Sequence, residues 1–183
     1  MTTKALFLDR DGVINIDSGY VCTPERFELI DGIINVMKWY QSNDFLLIIV
    51  TNQAGIARGF YSEAQFIEFD KWVRARIRSL GVFIEKTYYS PYHPEGTVKG
   101  YNIDSPMRKP RNGMLLAAIS EFNISAQDSV LIGDKVTDIQ AALATRVGQA
   151  VLVGHHPKAI MPEGYIHVET IKQLERQLYT PQH

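Results

Sequence analysis

Short unbroken apolar runs alternate along the chain with stretches in which apolar residues recur every three or four positions. The runs cover residues 5–8, 45–50, 84–89, 129–132 and 150–153, with a weaker one at 165–168. Unbroken runs of this length suit strands buried on both faces, as in a parallel sheet covered by helices. Between them, Ile33, Val36, Met37 and Tyr40 form a helical stripe. Ser62 and Gln65 make a capping box ahead of Phe66, Phe69, Trp72, Val73 and Ile77, and Gly81 follows as a stop. Met114, Leu115, Ala118 and Phe122 form a third stripe, Thr137 and Gln140 a second capping box, and residues 171–178 a last helix. Trp39 and Trp72 lie on these stripes and are expected in the core. The alternation predicts an α/β fold in three layers, with a mainly parallel central sheet and helices on both faces.

In such sheets the ligand site lies at the carboxyl ends of the strands. Four of these ends carry unusual chemistry. The first runs into Asp9-Arg10-Asp11-Gly12, the second ends Thr51-Asn52-Gln53, and the fourth ends Gly133-Asp134-Lys135 with Asp138 one turn further on. After the third, residues 90–110 show neither period, hold four prolines and two glycines, and end in Arg108-Lys109-Pro110. Aperiodic loops of about 20 residues inside compact domains are usually functional or disordered.

Carboxylates crowded at one edge repel and raise one another's pKa. A hard divalent cation removes that conflict, and oxygen-only ligands suit Mg²⁺. Arg108, Lys109 and Lys135 add positive charge at the same edge, which points to a phosphate as the third party. A carboxylate can attack phosphorus, giving an aspartyl-phosphate that water hydrolyses. A second carboxyl two residues away is placed to protonate the leaving alcohol and later to activate water. This division of labour fits Asp9 as nucleophile and Asp11 as acid/base. Thr51 and Asn52 are candidate donors to phosphate oxygens.

Composition narrows the reading. The chain has 183 residues, 45% hydrophobic and 21% charged, which excludes a disordered protein and fits a single domain over residues 1–183. With 19 basic and 20 acidic residues, bulk charge does not hold it to DNA or anionic lipid. Lys71, Arg74, Arg76 and Arg78 read as a solvated helix face. Cys22 is the only cysteine, so no disulfide and no cysteine-cluster zinc site forms within the chain. No leader or membrane-spanning run is evident, and a cytoplasmic monomer without nucleic-acid or membrane partners is expected. His155-His156-Pro157 is expected to form a mobile loop, since adjacent histidines rarely share one ion.

Phe7-Leu-Asp-Arg-Asp-Gly-Val-Ile-Asn15, Val50-Thr-Asn-Gln-Ala-Gly-Ile-Ala-Arg-Gly59, Arg108-Lys-Pro110 and Ile132-Gly-Asp-Lys135 resemble the four motifs of the haloacid dehalogenase (HAD) superfamily. More narrowly, they resemble its small histidinol-phosphatase-type branch, which includes the D-glycero-D-manno-heptose 1,7-bisphosphate 7-phosphatases. The resemblance spans about residues 4–155. It implies a Rossmann-like fold with a minimal cap and Mg²⁺-dependent phosphomonoester hydrolysis, with the heptose 7-phosphate as the leading substrate group. It makes Asp9 nucleophile and Mg²⁺ ligand, Asp11 acid/base with its backbone carbonyl on the metal, and Asp134 a further ligand. Thr51 and Asn52 hold the phosphoryl group, and Lys109 serves phosphate. Asp17, Ser18, Gly19, Tyr20, Gln53, Ala54, Arg108 and Lys135 serve the sugar phosphate.

The branch typically binds zinc in its long loop through Cys-x-His and Cys-x-Cys. Those positions here read Ser90-Pro-Tyr92 and Ser105-Pro-Met107. No zinc is expected, and the loop is expected to be stiffened by its prolines and packed through Tyr92 and Tyr101. Histidinol phosphate and a polynucleotide 3′-phosphate are alternative substrates. A phospho-accepting receiver domain and a non-catalytic sugar-phosphate binder are alternative classes. Receivers usually place the acceptor after their third strand and have no use for a second carboxyl beyond it, and binding alone would not require both Asp9 and Asp11.

Overall fold

The computed structural model describes residues 2–156 and 163–180. Six strands form one sheet: β1 (Lys4–Leu8), β2 (Phe45–Asn52), β3 (Lys86–Ser90), β4 (Val130–Gly133), β5 (Gln149–Val153) and β6 (Ile166–Val168). They lie in the order β3-β2-β1-β4-β5-β6, and every neighbouring pair is parallel. The helices are α1 (Ile33–Ser42), α2 (Ala54–Ala57), α3 (Glu63–Ser79), α4 (Gly113–Phe122), α5 (Val136–Thr145) and α6 (Ile171–Tyr179). The single turn α2 is too short to leave a periodic signature.

Strand alternation assigns the two faces. Leu6, Leu8, Leu47, Ile49 and Ile132 point to one face, where Val36, Met37, Val73, Ile77, Ile171 and Leu174 of α1, α3 and α6 cover them. Ala5, Phe7, Ile48, Val50 and Leu131 point to the other, under Met114, Leu115 and Ala118 of α4 and Ile139 and Ala142 of α5. This double burial is why the strands are apolar without interruption.

Side-chain capping marks the starts of three of these helices, α3, α5 and α6. Ser62 Oγ accepts from the Gln65 N–H (3.2 Å) while Gln65 Oε1 accepts from the Ser62 N–H (2.8 Å), the box read in the sequence. The box expected at Thr137 and Gln140 does not form. Helix α5 begins at Val136, and Asp138 accepts from the Lys135 N–H at 2.9 Å, so the acidic residue caps the helix. Trp39 is half-buried, but Trp72 is a surface residue, 36% exposed, stacked on Phe69 and edge-on to Phe27. It walls the groove formed with Phe60 and Phe69 rather than packing on the sheet.

Phe7 has no exposed surface and sits in the central strand. Phe7→Ala is expected to cost about 3–5 kcal/mol, the usual range for a large aromatic lost from a packed core. Urea denaturation at constant pH measures it, and a loss below about 1 kcal/mol would contradict the central placement of that face.

Candidate active site

The sheet order reverses between β1 and β4, which leave in opposite lateral directions, and a crevice opens at their carboxyl ends. Asp9 stands at that point. Its N–H continues the ladder to the Ile132 carbonyl at 3.0 Å, and only 6% of the residue is exposed. Asp134 follows β4, and Asp138 lies in the first turn of α5. One oxygen from each of Asp9, Asp134 and Asp138 lies within 4.8 Å of the others. Two glycines make room for this cluster. A Cβ at Gly12, whose φ is +93°, would stand 2.2 Å from Asp134 Oδ2. A Cβ at Gly133 would stand 2.2 Å from the Asp138 Cβ.

Lys109 enters from the end of the long loop and is 3% exposed. Its ammonium meets Asp9 Oδ1 at 2.9 Å and Asp138 Oδ1 at 2.5 Å, and donates to the Val50 carbonyl at 2.7 Å. Burial alone would raise the Asp9 pKa, but the adjacent Lys109 charge and hydrogen bond hold it below the ordinary carboxylate range. Burial opposes the Lys109 charge as well, and Asp138 and Asp9 outweigh it, keeping the ammonium protonated. Asp134 has only the more distant, half-exposed Lys135 ammonium, 3.6 Å from its Oδ2. Burial, reinforced by the charge on Asp9, pushes its pKa up to about 8 against the pull of Lys135. Its Oδ1 is buried with no hydrogen-bond partner. An all-oxygen donor set with an orphaned oxygen fits a hard divalent cation such as Mg²⁺.

Asp11 stands apart from the cluster. Both its oxygens accept from Arg10 Nη2 (2.9 and 2.8 Å), Oδ1 also from Asn15 Nδ2 (3.0 Å), and Oδ2 also from Gln53 Nε2 (3.0 Å). Its side chain therefore does not join the expected metal set, which leaves only its backbone carbonyl for that role. Gln53 is buried, donates as well to Thr51 Oγ1 at 2.9 Å, and accepts from Tyr61 Oη at 2.6 Å. Thr51 Oγ1 accepts that bond, so its own O–H is free to donate into the crevice.

Asp9, Asp11, Thr51, Asn52, Gln53, Ala54, Arg108, Lys109 and Lys135 line one cavity of about 450 Å³, which Asp17, Gly19 and Tyr20 border. Asp17 caps the Gly19 N–H (3.0 Å) and pairs with Lys135 (3.2 Å), while Arg26 clamps the Ser18 and Gly19 carbonyls, both at 2.8 Å. Burial works against the Lys135 charge, but Asp134, Asp9 and Asp17 together hold its pKa above the usual lysine range. Asn52 is committed elsewhere: its Nδ2 donates to the Lys109 carbonyl and its Oδ1 accepts from the Lys109 N–H, both at 3.0 Å. The side chain thus clamps the Lys109 backbone at the cavity wall, with both its amide groups already paired. A larger groove of about 630 Å³ lies beyond Tyr20 and Tyr61, walled by Phe60, Phe69 and Trp72. It contains none of the charged cluster, so the chemistry belongs to the smaller cavity.

The long loop is ordered by its own contacts. Thr97 and Val98 donate to the Ala57 carbonyl (2.8 and 2.9 Å), and His93 donates to the Tyr101 carbonyl (3.1 Å). Tyr101 reaches Glu63 at 2.7 Å, its ring lies 6.1 Å from that of Tyr92, and Arg108 Nη1 donates to the Tyr92 carbonyl. Elsewhere, the His156 ring meets the Val153 carbonyl at 3.0 Å, and Pro157 lies outside the described residues.

Two residues of this centre escaped the sequence reading. Asp138 was visible one turn beyond Asp134 but carried no assigned role, although its spacing from Gly133 placed it on the facing side of α5. Arg10 gave no signal, because a lone arginine between two aspartates reads as a solvated charge. It is instead fully buried, the largest such side chain in the described residues.

The HAD-hydrolase-like family matches residues 106–158. The D-glycero-beta-D-manno-heptose-1,7-bisphosphate 7-phosphatase of Escherichia coli K12 is 45% identical over 162 residues, covering 88% of this chain and 84% of that protein. The D-glycero-alpha-D-manno-heptose-1,7-bisphosphate 7-phosphatase of Burkholderia mallei is 44% identical over 153 residues, 84% of this chain and 81% of that protein. In fold, the crystal structure of D,D-heptose 1,7-bisphosphate phosphatase from B. bronchiseptica, complexed with magnesium and phosphate, superposes with a TM-score of 0.82 at 24% identity, covering 96% of this chain and 98% of that one. With a parallel sheet of this order, an acidic cluster at its switch point and relatives this similar over most of their length, the chain belongs to the heptose-1,7-bisphosphate 7-phosphatase family of HAD-like hydrolases.

Proposed function

We propose that this phosphatase removes the 7-phosphate of D-glycero-D-manno-heptose 1,7-bisphosphate through a phosphate ester on Asp9. The observation that carries the reading is the state of Asp9: a buried carboxylate kept ionised by Lys109 on the wall of a cavity rich in cations. Such a group is a nucleophile available at neutral pH.

In this reading Asp9 attacks phosphorus and the bond from phosphorus to the sugar oxygen breaks. Asp11 supplies the proton that the leaving oxygen takes up. Water then attacks the phosphorus of the ester, Asp11 takes its proton, and the bond to Asp9 breaks to release inorganic phosphate. Thr51 donates its free hydroxyl to the phosphoryl group, and Lys109 holds the nucleophile. Asn52 acts through the Lys109 backbone. Arg108 and Lys135, with the Asp17–Tyr20 turn and the Gln53-Ala54 step, border the space where the sugar and its second phosphate would lie. Asp9, Asp134 and the Asp11 carbonyl would hold Mg²⁺, beside Asp138. When bound, the ion neutralises the repulsion between an anionic nucleophile and an anionic ester.

The same reading has the chain working as a cytoplasmic monomer on a small soluble sugar phosphate. No helix among the described residues is long and apolar enough to cross a membrane. On α3, Lys71, Arg76 and Arg78 are exposed and Arg74 pairs with Asp70, as a solvated face requires. We also propose that the long loop works without zinc, because serine, tyrosine and methionine stand at the four ligand positions and the contacts of Tyr92 and Tyr101 hold it.

Asp9→Asn is expected to reduce phosphate release from heptose bisphosphate by at least about 10³-fold while leaving the circular dichroism spectrum unchanged. Near-normal release by that variant would remove Asp9 as nucleophile. Mg²⁺ affinity is expected to fall as the pH drops below about 8, because Asp134 is then protonated in the metal-free protein and must lose that proton to bind. Calorimetry at pH 6.5 and 8.5, in buffers of different ionisation enthalpy, reads both the affinity and the released proton. An affinity indifferent to pH would contradict the raised Asp134 pKa. Elemental analysis of the purified protein is expected to show zinc far below one atom per chain, and a stoichiometric atom would overturn the loop assignment.

A further inference from the structure

Arg10 is a costly residue for a core. Removing a guanidinium from water costs several kcal/mol unless its hydrogen bonds are replaced, and one of its nitrogens, Nη1, is buried without a partner. An apolar side chain of similar length would fill the space at no such cost, so packing does not explain it.

Its contacts do. The guanidinium carbon lies 5.2 Å from the Phe69 ring centroid and 5.7 Å from that of Phe66, which ties Arg10 to α3. Nη2 donates to the Val21 carbonyl at 2.6 Å, which ties it to the segment after the Asp17–Tyr20 turn. The same nitrogen spans both oxygens of Asp11, and Nε reaches Oδ1 at 3.3 Å. Arg10 is therefore a strut between two fixed elements and the Asp11 carboxyl group.

Asp11 needs such a strut. It lies beyond the end of β1 and ahead of Gly12, where an isolated bridge to Asn15 holds its backbone but leaves its carboxyl to side-chain partners. Asn15 and Gln53 reach one oxygen each, whereas Arg10 reaches both. We propose that Arg10 is a positioning residue for the proton-transfer group: it fixes the plane and reach of the Asp11 carboxyl, and through it the protonation of the leaving sugar oxygen. This rests on the acid/base role proposed for Asp11.

The test separates orientation of an acid from general integrity by varying the leaving group. A sugar or other alkyl phosphate needs its leaving oxygen protonated, whereas a nitrophenyl phosphate departs as a stable anion. The ratio kcat/KM reports the step in which the leaving group departs. Arg10→Met, which keeps the apolar stem, is expected to lower kcat/KM for the alkyl ester by about 10–100-fold, a part of what proton transfer is worth, and for the aryl ester by less than about threefold. Arg10→Lys, which keeps the charge but loses the planar fork, is expected to show the same selective loss and serves as the test should the Met variant not fold. In an Asp11→Asn background, Arg10→Met should add no further loss for the alkyl ester. Equal losses for both esters, or none for either, would overturn the proposal. An unselective loss in Asp11→Asn alone would instead remove the acid role on which it rests. A selective loss there, with unselective Arg10 variants, would leave Asp11 standing and Arg10 refuted.

Discussion

The centre depends on one buried ammonium. Lys109 sits between Asp9 and Asp138 and against the Val50 carbonyl, almost without water. Remove it, and two carboxylates would share a low-dielectric space with a third, an arrangement that protonation of Asp9 or Asp138 would relieve. With it, Asp9 is ionised and Asp134 absorbs the residual strain by holding a proton up to about pH 8. The acid whose only cationic partner is the longer, half-exposed contact with Lys135 thus also has an unpaired oxygen, which is where a metal ion has most to offer.

Topology delivers these groups without long-range coincidence. Parallel pairing of β1 with both β2 and β4 sets three strand ends side by side, so Asp9, Thr51 and Asp134 emerge at one level. The backbone then yields at two points, Gly12 and Gly133, where any Cβ would strike an acidic side chain. The fold brings the carboxylates close, and the glycines let them approach to ligand distance.

Much of this was legible in the sequence. The strands announced themselves as continuous apolar runs because they are covered twice, and strand-end placement singled out Asp9, Asp11, Thr51, Lys109 and Asp134. What the sequence hid was direction. Nothing in Thr-Asn-Gln says that Thr51 and Gln53 turn to the crevice while Asn52 turns to grip the Lys109 peptide. Nothing in Asp-Arg-Asp says that the arginine goes inward, since burial of a charge is decided by partners remote in the chain, here Val21, Phe66 and Phe69. The capping residue of α5 was misread for a related reason: Thr137 has the right chemistry for a cap, but Asp138 takes the Lys135 N–H because its other oxygen is already drawn inward by Lys109. Trp72 shows the limit of periodicity, which marks a stripe but not which of its residues borders an open groove.

The grip of Asn52 on both sides of the Lys109 peptide bears on how such enzymes diversify. Because the lysine is anchored to the second strand, the preceding twenty or so residues can exchange one stiffening device for another without disturbing the Lys109–Asp9 pair. The contacts of Tyr92 and Tyr101 that order the loop here are then one solution among several to a single architectural demand. Evolution, or an engineer grafting a new loop, is free to rewrite what the pocket recognises while the hydrolytic machinery is inherited intact.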